Sequence, residues 1–268
     1  MHEVCGSDPA AERSNRILLE AIVCSVEDAL AAAEHGADRF ELCAAMPLGG
    51  LTPSLGTLIA LRRETPVPVM FMLRPREAGM CYSPGDLRAM ALDADLALAN
   101  GAQGLVTGLL TPSGELDIAG LRALMNSVDP GRSVDWVCHR AFDVTLDPDE
   151  ALEQLIDLGF KRVLTSGRAA RAPEGLGEIR RTRERAAGRI EVLPGGGIRL
   201  DEVEQVLRET GVDQIHLGFQ GWRVDPSTRA NPKVSFGVGT PPSDESFRVL
   251  EPDAVRRVHQ TLREYRAG

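Results

Sequence analysis

Several side chains capable of chemistry stand at the ends of short apolar runs. Glu20 and Cys24 close "ILLEAIVC", Glu41 and Cys43 lie in "DRFELCA", and Arg74 and Arg76 follow "VPVMFML". His139 and Asp143 follow "SVDWVC", Thr165 and Ser166 end "RVLTS", and Gly195, Gly196 and Gly197 follow "IEVLP". Carboxylates and an imidazole move protons when their environment brings their pKa near neutrality. Guanidinium groups grip carboxylates or phosphates. Thiolates hold soft metals, Cu(I) among them. Consecutive glycines ahead of a helix let backbone N–H groups approach an anion, as they also allow a tight turn.

Such a set works only if the chain brings it to one place. Eight short apolar, β-branched runs recur along the sequence, ending with "DQIHLG" and His216, and each is followed by a segment of helical period. Ser25 and Ser83 sit where N-caps belong, with carboxylates in the turn that follows. Gly36, Gly101 and Gly159 sit where helices should stop. Eight β-then-α units in 268 residues predict a single-domain (β/α)8 TIM-like barrel; a doubly wound sheet would need fewer strands or a second domain, and no linker divides the chain. Alternate strand residues face a barrel's lumen. That parity sends Glu20, Ile22 and Cys24 inward together, then Glu41 with Cys43, and Met72 with Arg74 and Arg76. Because isolated buried charge is costly, these groups must pair with one another or meet solvent at the mouth. A structural ion-pair network of Glu20, Glu41 and Arg74 is the plain alternative to a site. After the eighth strand, "FQGWRVDPSTRANPKVSFGVGTPPSDESFRVLE" is predicted to be a long loop over the face where barrel enzymes carry their chemistry.

Composition removes other classes. A net charge of -9 and a pI near 5.2 leave no basic stripe for nucleic acid. The arginines of "IRRTRERAAGR" alternate with Glu at helical spacing, as on a solvated face. No run approaches the ~18 apolar residues of a membrane span. Five cysteines without close metal-ligand spacing fit reduced thiols in a cytoplasmic protein. Residues 1–16 read as a flexible leader ahead of a barrel domain at 17–268.

"FELCAAMPLGGLTPSLG", "MLRPREAGMCYS", "CHRAFD", "RVLTSG" and "EVLPGGGI" together resemble, in order, the signature blocks of the CutC family of copper homeostasis proteins. The resemblance covers roughly residues 18–218 and implies a TIM-like barrel, a cytoplasmic protein and a part in copper binding or tolerance. It also implies a Glu-Val-Cys-x-Asp-Ser pattern in the first strand. Aligned on that pattern, Glu20 keeps the glutamate, Ile22 stands where the cysteine belongs, and Cys24 stands where the aspartate belongs. In the eighth strand, His-x-Ser-Ala reads His216-Leu217-Gly218-Phe219. Two readings follow. One is Cu(I) handling through Cys43 and Cys24. The other is a barrel enzyme or binder for a small anionic or phosphorylated metabolite, with Glu20, Glu41, Arg74, His139 and Asp143 as the reactive set. In that reading Arg76, Ser166 and Gly195–Gly197 hold the anion. A homo-oligomer, built on the long loop, is compatible with either.

Overall fold

The structure, a computed structural model, describes residues 16–128, 133–231, 233–234, 236 and 245–267. The expected leader lies outside these residues, apart from Arg16, which pairs with Asp38 (2.6 Å).

The first strand, β1 (Leu18–Val23), shows how the pattern becomes a barrel. Leu19, Ala21 and Val23 are buried in the layer shared with the helices, while Ile22 packs in a second, smaller cluster with Met70, Met72, Val106 and Val137. That second cluster is the barrel lumen. The strands β2 (Arg39–Leu42), β3 (Val69–Met72), β4 (Gly104–Thr107), β5 (Asp135–Cys138), β6 (Arg162–Thr165), β7 (Glu191–Pro194) and β8 (Gln214–Leu217) follow. All the ladders are parallel, in the order β7-β6-β5-β4-β3-β2-β1-β8. Between β7 and β8 the ring is closed by side chains, Gln214 Nε2 donating to Glu191 Oε2 (3.2 Å).

Seven helices alternate with these strands: α1 (Val26–Glu34), α2 (Leu55–Glu64), α3 (Pro84–Ala99), α4 (Ile118–Asn126), α5 (Pro148–Leu158), α6 (Leu176–Ala186) and α7 (Val203–Thr210). Their ends are where the sequence places them. Ser25 Oγ accepts from Asp28 N (3.0 Å), Ser83 and Asp86 form a reciprocal capping box, and Gly159 ends α5 at φ 81°. The arginine-rich segment is α6, whose Arg181 and Arg185 reach Asp149 on α5; Arg189, just past its end, reaches Glu153.

The floor of the lumen is polar. Arg39 pairs with Glu20 and donates to Gln214 Oε1 (2.9 Å). Arg162 also reaches Gln214 Oε1 (3.0 Å) and pairs with Glu191 (2.7 Å). The ion-pair network expected among Glu20, Glu41 and Arg74 is therefore not the one formed. Arg39 and Arg162, lower on their strands, neutralise the floor and leave Arg74 free of carboxylates.

The stretch after β8 departs from expectation as well. It carries an antiparallel ribbon, β9 (Gln220–Val224) with β10 (Ser246–Leu250), leading into α8 (Pro252–Ala267). The ribbon is fastened to the barrel where Leu250 N donates to Asp28 Oδ1 (2.7 Å). Val255, Val258 and Leu262 bury the face of α8 against the core. No described helix is long and apolar enough to cross a membrane.

Candidate functional site

At the C-terminal ends of the strands opens a cavity of about 440 Å³, within the range of small-molecule sites. Glu41, Arg74, His139, Arg140, Gly196 and His216 are among its lining residues, and Met46, Met72 and Leu164 give it an apolar wall.

At its base three buried groups are linked across β8, β1 and β2. His216 Nδ1 lies 2.8 Å from Glu20 Oε1, and its Nε2 lies 3.8 Å from Glu41 Oε2. Burial alone would raise the Glu20 carboxyl, but Arg39 and His216 overcome it and hold Glu20 well below the usual range. Burial raises Glu41 to about 7, the charge on Glu20 adding to the effect. Burial would lower His216, yet the two carboxylates hold it above its ordinary value. Paired titrating groups with opposed environments are the usual ground for acid–base work. His216 was visible at the end of the eighth run but stood outside the sequence-predicted set. Its parity placed it inward, and its reach to both glutamates is the signal that completes it. The same three residues offer ligand atoms within 4.8 Å of one another. That is an oxygen–nitrogen set, unlike the soft ligands Cu(I) prefers.

Higher in the cavity stand His139 and Arg74. Ala141 N donates to His139 Nδ1 (3.1 Å), so in the neutral ring the proton sits on Nε2. Burial, with Arg74 nearby, pushes His139 down to about 4, which keeps the ring neutral. Gly108 makes room for it, since a Cβ there would fall 2.7 Å from the ring. Arg74 donates through Nη1 to the carbonyls of Leu48 and Gly50 and through Nη2 to that of Ala78. His139 Nε2 and Arg74 Nε are buried with no hydrogen-bond partner.

Other predicted residues do different work. Asp143 is behind the cavity, accepting from Thr165 Oγ1 (2.5 Å), Ser166 N (3.0 Å), Ser166 Oγ (2.8 Å) and Arg140 Nε (2.8 Å). It clamps the β5 and β6 loops with both oxygens engaged. Ser166 is fully buried in that clamp. Arg76 turns to its own loop, donating to the carbonyls of Glu77, Gly79 and Cys81, and does not line the cavity. Gly195 N is spent on Thr165 O (3.0 Å), whereas Gly196 and Gly197 reach the cavity.

The thiols occupy a neighbouring position. The β1–β2 register pairs Ile22 with Glu41 and Val23 with Leu42, and the next residues along are Cys24 and Cys43. The two thiols act on each other: Cys43 lowers the Cys24 thiol, and Cys24 with burial raises the Cys43 thiol well above its ordinary value. Met46, on the turn after β2, brings its Sδ to 3.2 Å from Cys43 Sγ. Cys24 and Met46 also line a pocket of about 120 Å³ beneath the ribbon, with Arg248 and Asp28 at its edge. The described cysteines, Cys24, Cys43, Cys81 and Cys138, are all free.

An eight-stranded barrel with a polar mouth and two thiols beside it defines a TIM-like barrel protein whose cavity opens at the C-terminal face. Residues 17–221 match the CutC family. A CutC family protein of Treponema denticola is 45% identical over 92% of this chain and 99% of its own length. A human protein named as a copper homeostasis protein cutC homolog is 39% identical, over 93% and 90% of the two chains. The crystal structure of CutC from Streptococcus agalactiae superposes with a TM-score of 0.71 at 31% identity, covering 75% of this chain and 98% of that one. The chain belongs to the CutC family.

Proposed function

We propose that this chain serves copper homeostasis by carrying Cu(I) at Cys24, Cys43 and Met46. The observation that carries the proposal is the sulfur cluster itself: two thiols on adjacent strands with a thioether 3.2 Å from one of them. Two thiolates and a thioether are the donor set Cu(I) selects over harder ions. The lowered Cys24 thiol, on the exposed side, supplies the first thiolate; Cys43 loses its proton as the metal binds. The register also explains why a cysteine at position 24 serves this chain. Position 22 lies opposite Glu41, while position 24 lies beside Cys43.

Copper is the cargo in this reading, and the cytoplasm, where thiols stay reduced, is the setting. The relatives named for copper homeostasis support it. Self-association belongs on the ribbon, where Val224 and Phe247 are exposed. Titration against a competing Cu(I) chelator tests the proposal. Cys43→Ser and Cys24→Ser are each expected to weaken Cu(I) binding by tenfold or more, and unchanged affinity in both variants would refute it.

A further inference from the structure

The barrel mouth holds features that copper handling leaves unused. His139 Nε2 and Arg74 Nε are two buried N–H donors, on residues 4% and 6% exposed, that find no hydrogen-bond acceptor among the described residues, although the Tyr82 hydroxyl interacts with the Arg74 side chain. Leaving such donors unmet costs about 1–3 kcal/mol each. Both residues line the same cavity. Across it, Arg140 is held by Asp143 and Ser166 through Nε and Nη2, and its Nη1 has no acceptor among the described residues. Beside that guanidinium run Gly196 and Gly197, whose amides likewise find no acceptor among the described residues. Gly196 takes φ 107°, and a Cβ there would press within 3.1 Å of Arg140 Nη1, so glycine keeps this approach open.

We propose that this cavity is a binding site for a small phosphorylated compound bearing a carbonyl or carboxylate oxygen. The phosphate would lie against Arg140 and the Gly196–Gly197 amides, and the oxygen would accept from His139 Nε2, with the Arg74 guanidinium nearby. A glycine-rich loop and a fixed guanidinium suit a dianion. A neutral imidazole donor suits an uncharged or partly charged oxygen. The carboxylates at the base of the cavity set the polarity. Glu41, with Glu20 behind it, disfavours a second phosphate there; Glu41 can accept a hydroxyl hydrogen bond and the charged His216 ring can donate one instead. A volume of about 440 Å³ holds a compound of a few carbons with its phosphate. The site draws Glu41 from β2, and Cys43 directly follows that strand, but none of its proposed contacts is a sulfur.

Calorimetric titration with inorganic phosphate, glycolate and 2-phosphoglycolate tests the assignment. The wild-type protein is expected to bind 2-phosphoglycolate about tenfold or more tightly than either fragment. His139→Asn keeps an oxygen to accept from Ala141 N but removes the Nε2 donor. It should weaken 2-phosphoglycolate about tenfold while leaving phosphate within about twofold, one hydrogen bond being worth about that much. Arg140→Lys should weaken both phosphate probes, and Cys24→Ser should change none of them, which separates this site from the copper one. Unfolding midpoints near wild type would show that each variant is folded. The proposal is overturned if neither phosphate probe binds folded wild-type protein at up to about 10 mM, or if His139→Asn leaves 2-phosphoglycolate affinity unchanged.

Discussion

At the scale of single residues, environment decides role more than residue type does. Asp143 and Glu41 are both buried carboxylates near the strand ends, yet one clamps loops and the other faces an imidazole across the cavity. Asp143→Ala would leave Thr165 Oγ1, Ser166 N and Arg140 Nε without their acceptor. A loss of about 3 kcal/mol in unfolding free energy is expected, read by denaturant titration. Glu41 has the opposite character. Its folded-state carboxyl titrates at about 7, against about 4.3 in an unfolded chain. The raised value favours folding below the unfolded pKa, and that contribution is lost as pH rises through 7. Glu41→Gln removes the dependence, so the variant should gain about 1–3 kcal/mol over wild type between pH 5 and pH 8. Unfolding at the two pH values checks it; a gain that does not grow with pH contradicts the assignment. The thiols differ in the same way. Cys24 is exposed with a lowered pKa, and Cys43 and Cys138 are buried with raised ones, Cys138 at about 12. Brief alkylation followed by peptide mass mapping should modify Cys24 well before either.

At the scale of elements, the strands and their inward parity were legible because apolar alternation reports which face is buried, and the caps Ser25 and Ser83 mark helix starts chemically. What parity does not reveal is how far a long side chain reaches. Arg39 shares a face with Glu41, yet the stagger of parallel strands sets it beside Glu20 and Gln214. Arg76 shares parity with Arg74 and still turns away, because β3 ends at Met72 and the following loop offers it three carbonyls. His216 and the Asp143 clamp depend on contacts between elements far apart in sequence, which no local pattern encodes. The floor pairing has its own consequence. Arg39→Met leaves Glu20 buried without its cation, a change worth about 3–5 kcal/mol in stability. Thermal unfolding should show it, while Arg223→Met on the exposed ribbon should not.

At the scale of the whole molecule, one barrel presents two neighbouring groups of side chains at its C-terminal face: hydrogen-bond donors in the mouth and sulfurs under the ribbon. They are divided by Ile22 and Met46, which line both pockets. The ribbon that joins β8 to α8 was read from its Pro and Gly content as a loop, since its alternation is broken by polar residues on an exposed element. It roofs the thiol pocket through Arg248 and Leu250. In the proposed copper site, sulfur receives the metal rather than the oxygen–nitrogen set of Glu20, Glu41 and His216. X-ray absorption at the copper edge of the Cu(I)-loaded protein tests it most directly. A first shell of sulfur scatterers that is lost in the Cys24→Ser/Cys43→Ser double variant is the predicted result. A shell of nitrogen and oxygen, unchanged in that variant, would contradict it.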